Sequence, residues 1–342
     1  MAENKQDRYS NPALAVFTGI RDLFRKQIPS GALKPGDLLD GKTVLVDGAS
    51  SGLGYAIALD CAKRGARVVM ACRSGIPEKG EMIKKLSGNP DIHMLPVDFS
   101  DIRSIRNLSS LLRNQFPEID IYICNAGIVP RESRKTLQGI EEMFMVNYFS
   151  KFIFVNLLLE KHCFNASGSV DRHPSPADPH LIPDLPRIIF ISSESHRNPK
   201  AFEWDKFGRY EHYSIGKSME LYGYYKLLLT TFAVELSRRL NPGRTALFSV
   251  FSLCPGPVNS NIAREAPKIF HPLLKLVFGI FFKSPAKAAI PAVYLAASPD
   301  QEGKIMDYFF LMSRKDADEK ATDPLNGQKL WALSEDLMNT LA

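Results

Sequence analysis

The chain has 342 residues, 45% of them hydrophobic and 23% charged, and carries a net charge of +6. That is ordinary for a globular protein, and long enough for one large α/β domain or two small ones with a full core. No Lys/Arg run approaches a nucleic-acid patch, so nucleic acid is not an expected partner; the mild positive charge suits a cytosolic enzyme or attraction to an anionic membrane surface.

Five cysteines (Cys61, Cys72, Cys124, Cys163 and Cys254) are scattered, with no CxxC pair and no metal-ligand spacing. Four sit in apolar runs, which reads as free thiols in a reducing compartment, and no metal site is expected. The first ten residues are polar and lack the apolar core of a signal peptide, and no 18-residue uncharged stretch is present to span a bilayer. The expectation is a cytoplasmic protein, with peripheral contact at a membrane surface left open.

Residues 1–40 form an N-terminal extension. Within it Ala13 to Ile28 can form an amphipathic helix with basic residues near its C-terminal end, either packed on the domain or anchored at an interface. Gly31, Pro35 and Gly36 mark a linker. From Gly41 onward strand and helix alternate, which predicts a doubly wound parallel sheet of the Rossmann type in a single domain over 41–342. The expected strands are Thr43–Val46, Ala66–Ala71, Ile92–Val97, Ile119–Cys124, Arg187–Ile191 and Thr245–Leu253. The expected helices are Tyr55–Gly65, Asp101–Phe116 with Asp101 in its first turn, Leu137–Cys163, Tyr222–Leu240, Ser284–Ala297 and Gln328–Leu341. Residues 165–186 are rich in Pro and Ser and read as a mobile loop.

Between the first strand and its helix stands Asp47-Gly-Ala-Ser-Ser-Gly-Leu-Gly54, with the spacing Gly48-x3-Gly52-x-Gly54. Strand, glycine turn, helix is a geometry in which backbone N–H groups can hold a diphosphate, although the same glycines fit a tight turn that binds nothing. The second strand runs out at Cys72-Arg73, 19 residues after Gly54, and no acid occurs from Arg67 to Gly75. An acid at that strand end bonds the 2′-OH of NAD, whereas an arginine accommodates the 2′-phosphate, so Arg73 favours NADP(H) over a merely solvated side chain. Asp98, closing the third strand, fits either a bond to the adenine amine or a cap on the next helix. Asn125-Ala126-Gly127 lets backbone approach a cofactor. Asn147, polar within an apolar run, serves either a structural hydrogen bond or a relay water. Tyr222 and Lys226 share a helix face at i and i+4, where a cation pulls a phenol of pKa ~10 toward an acid/base range. Tyr213 and Lys217 have the same spacing. However, Lys226 runs on into a continuous helix, while Tyr213 lies in a glycine-interrupted approach.

These motifs, in this order, resemble those of the short-chain dehydrogenase/reductase superfamily, and most of all its retinol dehydrogenase-type members, over roughly residues 41–340. Gly48-Ala-Ser50-Ser51-Gly52-Leu53-Gly54 resembles the cofactor turn, and Cys124-Asn125-Ala126-Gly127 the fourth-strand motif. Ser193 with Tyr222-x3-Lys226 resembles the catalytic set, and Pro255-Gly256-Pro-Val258-Asn-Ser260 the loop behind the nicotinamide. The stretch after Lys226, with Glu235-Leu-Ser-Arg-Arg, selects Tyr222 over Tyr213. The resemblance implies that Tyr222 exchanges a proton with the substrate oxygen and that Lys226 lowers the Tyr222 pKa and bonds the nicotinamide ribose. Ser193 would polarise the carbonyl and Asn147 would position a relay water. A homodimer is compatible with it.

Two residues depart from the pattern. Asp47 stands where the family usually has Thr; it can accept the same bonds to the Asn125 segment but brings a negative charge near the diphosphate. Ser260 replaces the common Thr and keeps its hydroxyl. Residues 269–282 are apolar apart from one lysine and one histidine, and suit a lid over a lipophilic substrate, a dip into a bilayer surface, or a core helix. The expected substrate is an apolar alcohol or carbonyl of the retinoid, steroid or long-chain aldehyde class. A protochlorophyllide reductase-like activity is the alternative, lowered by Pro257 where those proteins carry cysteine. A non-catalytic NADP(H)-binding regulator is the alternative from a different class.

Overall fold

The computed structural model describes residues 28–165, 185–244, 246–258 and 284–341. The expected helix over 13–28 (all but its last residue), most of the loop over 165–186, Ser260 and the apolar run 269–282 lie outside the described residues. An eight-stranded sheet organises the rest, in the order β3-β2-β1-β4-β5-β6-β7-β8. The strands are β1 (Thr43–Asp47), β2 (Arg67–Cys72), β3 (Ile92–Pro96), β4 (Ile121–Cys124), β5 (Arg187–Ile191), β6 (Ser249–Cys254), β7 (Met306–Phe310) and β8 (Ser313–Lys315). All neighbours pair parallel except β8, which returns antiparallel on β7. The central strands β1, β4, β5 and β6 are buried along their whole length, as a sheet covered on both faces requires.

The helices fall into two layers. On one face α1 (Gly52–Lys63) and α7 (Pro285–Ala297) pack with Ile83 of α2 (Glu78–Ser87). On the other lie α3 (Ile102–Gln115), a composite helix, α6 (Ile215–Leu240) and α9 (Pro324–Thr340), which follows the short α8 (Glu319–Thr322). The composite helix is α4 (Glu142–Phe144), a π-helical turn (Met145–Phe149) and α5 (Ser150–Glu160). From Glu142 to Glu160 it is long and apolar enough to cross a membrane by length and composition, but 78% of it is buried inside the protein, as befits a core helix.

The chain winds one way from β1 to β3 and the other way from β4 to β6. A crevice therefore opens at the carboxyl ends of β1 and β4, where α/β sheets bind ligands.

Local signals moved several boundaries. Helix α6 starts at Ile215, seven residues before Tyr222, so Tyr213 sits just outside it. The helix expected from Leu137 begins at Glu142, whose predecessor Glu141 caps it by accepting from the N–H groups of Met143 and Phe144. β4 begins at Ile121, because Ile119 is spent on a bridge to Phe164. β6 begins at Ser249, and α9 starts early, at Pro324 behind its Asp323 cap.

Candidate active site

The turn between β1 and α1 is a tight cradle. Gly48 has φ +62, and a Cβ there would lie 2.9 Å from the Ala126 Cα; at Gly54 it would meet the Gly48 carbonyl oxygen at 2.5 Å and the Asn125 amide. Side chains are excluded from this approach. Among the described residues no side chain caps α1, whose N-cap Ser51 is extended, so its first N–H groups face the cradle with the helix dipole behind them. That arrangement fits a diphosphate. Asn125 closes the turn from β4, its Nδ2 donating to the carbonyls of Asp47 (2.9 Å) and Gly48 (3.3 Å). Ser50 lies beside the Cys72 thiol, and Leu53 turns inward into the core.

Asp47 is wholly buried. Its Oδ1 accepts from the backbone N–H of Asn125 at 2.6 Å and from that of Ala126. Its Oδ2 accepts from the Tyr122 hydroxyl (2.7 Å) and from Lys151 Nζ (2.9 Å). Lys151 comes from α5, is equally buried, and places its ammonium 4.0 Å from the centre of the Phe99 ring. The negative charge that Asp47 brings near the cradle thus has a buried counter-ion. Asp47 does tie the turn to the Asn125 segment, but it is paired with a cation that sequence reasoning missed.

At the end of β5, Ser193 has extended backbone and begins a short 3-10 turn (Glu194–Arg197). Its Oγ accepts from both the N–H (3.2 Å) and the hydroxyl (2.9 Å) of Ser195. The Tyr222 hydroxyl stands near Ser193, which favours its ionised form. One turn along α6, Lys226 is 4% exposed; its Nζ donates to the Ile191 carbonyl at 2.7 Å and lies 5.6 Å from the Tyr222 ring centre. The three residues thus meet at one place.

The electrostatics differ from expectation. Burial pushes the Tyr222 phenol above its ordinary range, and nearby Ser193 opposes this only in part. Burial, then the Lys151 charge, lowers Lys226 to about 8. The expected lowering of the phenol by the Lys226 cation is not seen; burial, then Cys254, holds it above its ordinary range.

Asn147 is buried in the π-helical turn. Both ends of its amide are used on one residue, Oδ1 accepting from the Ile128 N–H (2.8 Å) and Nδ2 donating to the Ile128 carbonyl (2.9 Å). The structural alternative accounts for it, and its Oδ1 also abuts Gly127, at 3.3 Å from where a Cβ would stand.

Tyr213 is placed elsewhere. Its hydroxyl donates to buried Glu141 at 2.7 Å, while Lys217 pairs with Glu211 at the surface. Asp98 caps no helix: its Oδ1 accepts from the N–H and hydroxyl of Ser100, and Asp101 is the cap of α3. Asp98 Oδ2 instead lies 3.9 Å from Arg73, whose half-exposed guanidinium stands at the end of β2. Pro255 and Gly256 follow β6, and Val258 packs toward the α1 face.

His196, also missed from sequence, supports the Ser193 turn from behind. It has no exposed surface. Its Nε2 accepts from the Asp318 N–H (3.1 Å), which leaves Nδ1–H to donate to the Ser193 carbonyl (2.7 Å). Burial, then Arg197, lowers it to about 4. Beside it Glu194 accepts from Tyr308 (2.7 Å) and faces Arg197 and Lys315 at 3.4 and 3.5 Å. Among the described residues no cluster of His, Cys, Asp and Glu could hold a metal.

The profile of the short chain dehydrogenase family matches residues 42–170. Retinol dehydrogenase 14 of Mus musculus is 32% identical over 331 residues, covering 93% of this chain and 91% of that protein. Among solved structures, an uncharacterized protein from Mycobacterium Paratuberculosis is 25% identical with a TM-score of 0.64, covering 90% of this chain and 98% of that one. An active-site complex of Pseudomonas aeruginosa RhlG with NADP shares the fold at TM-score 0.59 and 22% identity, covering 82% and 98%.

Proposed function

Because the chain belongs to the short-chain dehydrogenase/reductase family, in its retinol dehydrogenase-like group, and is an oxidoreductase using a nicotinamide cofactor, we propose that it reduces a lipophilic carbonyl compound with NADPH. The substrate class is a retinoid, a steroid or a long-chain aldehyde. The observation that carries this reading is the meeting of Ser193, Tyr222 and Lys226 beside the glycine cradle, at the carboxyl ends of β5 and β1. The N–H groups opening α1 would hold the diphosphate, Asn125 to Gly127 the nicotinamide side, and Arg73 the 2′-phosphate. When bound, the cofactor supplies the hydride.

The protein's part is proton and charge control. The Ser193 hydroxyl holds the carbonyl oxygen. Tyr222, kept protonated by its surroundings, gives its proton to that oxygen as charge develops there. Lys226, anchored on Ile191, keeps a positive charge under the phenol and steadies the phenolate left behind. In the opposite direction the same groups take the alcohol proton.

NADPH consumption measured against retinal, ketosteroids, fatty aldehydes and small quinones tests the proposal. Turnover of an apolar aldehyde or ketone that disappears in Tyr222→Phe supports it. Turnover of quinones alone, or activity unaffected by Tyr222→Phe, refutes it.

A further inference from the structure

Resting on the cofactor reading above, we propose that Asp47 and Lys151 act as one positioning unit. The carboxylate holds the backbone under the cofactor, and the lysine cancels its charge behind the diphosphate cradle. Four donors converge on this carboxylate: the N–H groups of Asn125 and Ala126, the Tyr122 hydroxyl and the Lys151 ammonium. The first two belong to the segment that approaches the cofactor. The residue after Asp47, just past β1, is Gly48, the first of the cradle. A neutral hydroxyl at position 47 could hold that segment with no counter-charge. A carboxylate cannot, because a buried anion without a partner would repel the diphosphate a few residues away.

Lys151 supplies the partner from the opposite helix layer, and it has no other polar contact among the described residues. The pair also reaches the reaction centre. Lys226 faces Cys254 on β6, Cys124 on β4, Tyr222 on its own helix, and both Asp47 and Lys151, whose charges act on it with opposite sign. Removing either member would leave the other's charge acting on Lys226 without its opposite.

The test uses the full chain and fluorescence titration with NADPH between about pH 6 and pH 10, with melting temperatures of the cofactor-free proteins alongside. In Lys151→Met the uncompensated carboxylate should weaken NADPH binding by about tenfold or more and lower the melting temperature. The alkaline inflection of binding should rise, because Lys226 loses a repelling neighbour. In Asp47→Asn that inflection should fall. The double variant Asp47→Asn/Lys151→Met should regain most of the affinity lost in Lys151→Met and return the inflection toward the parent's.

A double variant that binds no better than Lys151→Met, or inflections that move together or not at all, overturns the proposal. If Lys151→Met fails to fold, the double variant decides: NADPH affinity within about threefold of the parent supports the pair, and a tenfold loss overturns it. A parent that binds neither NADPH nor NADH overturns the cofactor reading itself and this inference with it. A parent that binds while the cycle fails removes this inference alone.

Discussion

Acid should loosen this protein at His196 before most of its carboxylates titrate. The imidazole is held neutral between two backbone groups, donating to Ser193 and accepting from Asp318, and has no route to water. Its pKa lies near 4 in the folded chain against 6.5 as the ordinary value. The unfolded chain therefore binds more protons between those values. The stability contributed by the neutral ring is full above about pH 6.5 and is lost as pH falls through about 4. A shift of that size corresponds to about 3 kcal/mol in all, of which about 2 kcal/mol goes between pH 7 and pH 5. Urea unfolding at those two pH values measures it. His196→Gln starts from a lower stability because the ties to Ser193 and Asp318 are disturbed, but its loss between pH 7 and pH 5 should be smaller than the parent's by about 2 kcal/mol. Equal losses in the two proteins would refute the reasoning, since every other titrating group is common to both.

Four further outcomes are expected. Tyr222→Phe should lower carbonyl reduction by about 10²–10⁴-fold, whereas Tyr213→Phe should keep turnover and lose about 1–2 kcal/mol of stability, because its hydroxyl serves Glu141; steady-state kinetics and denaturant unfolding separate them. Arg73→Ala should weaken NADPH by about tenfold while NADH is little changed, by fluorescence titration, and tighter NADH than NADPH binding in the parent would sink the argument from Arg73. Gly54→Ala forces a methyl against the Gly48 carbonyl and the Asn125 amide, and should abolish cofactor binding and cost about 1–3 kcal/mol of stability, read by titration and melting. Flotation with anionic liposomes should carry the parent upward and leave behind a variant whose residues 269–282 are made polar.

The architecture was legible because a parallel sheet buried on both faces writes itself as separated apolar runs, and β1 to β6 were each found within a few residues. The edges were not. β7 and β8 arise where a short run, Met306–Phe310, broken by Asp307, is followed by a reversal at Leu311 with φ +57, which no turn residue announces. Helix α2 was missed because its sequence is mostly polar and buries only Gly80 and Ile83. Asp98 and Asp101 illustrate a real ambiguity: both precede the same helix, and only backbone geometry decides which one caps it.

In the site, spacing offered both Tyr222/Lys226 and Tyr213/Lys217, and only the family resemblance singled out Ser193, Tyr222 and Lys226. The groups that hold them were not legible, because their partners are distant in sequence: Lys151 lies 104 residues from Asp47 and His196 lies 122 from Asp318. A trace was present for the first. Lys151 is the one charged residue between Met143 and Leu159, and a lone charge in so apolar a run has to find a counter-charge. The shift of Tyr222 could not be read from residue types at all, since it depends on how completely the surrounding protein excludes water.

Helix α5 buries Ser150 through Val155 on every side, and its apolar surface gives almost no preference for one rotation about its axis over another. The Asp47–Lys151 pair does give one. The π-helical turn just before it already absorbs one extra residue in a wider turn, so a further residue inserted into the regular helix ahead of Lys151 would rotate everything downstream by about 100°. The aromatic and aliphatic side chains could re-pack after such a turn, but the ammonium would be carried away from its carboxylate into hydrocarbon. The length of this segment is thus fixed more by one charge than by the many apolar groups around it, and such an insertion should be tolerated only where that charge is removed as well.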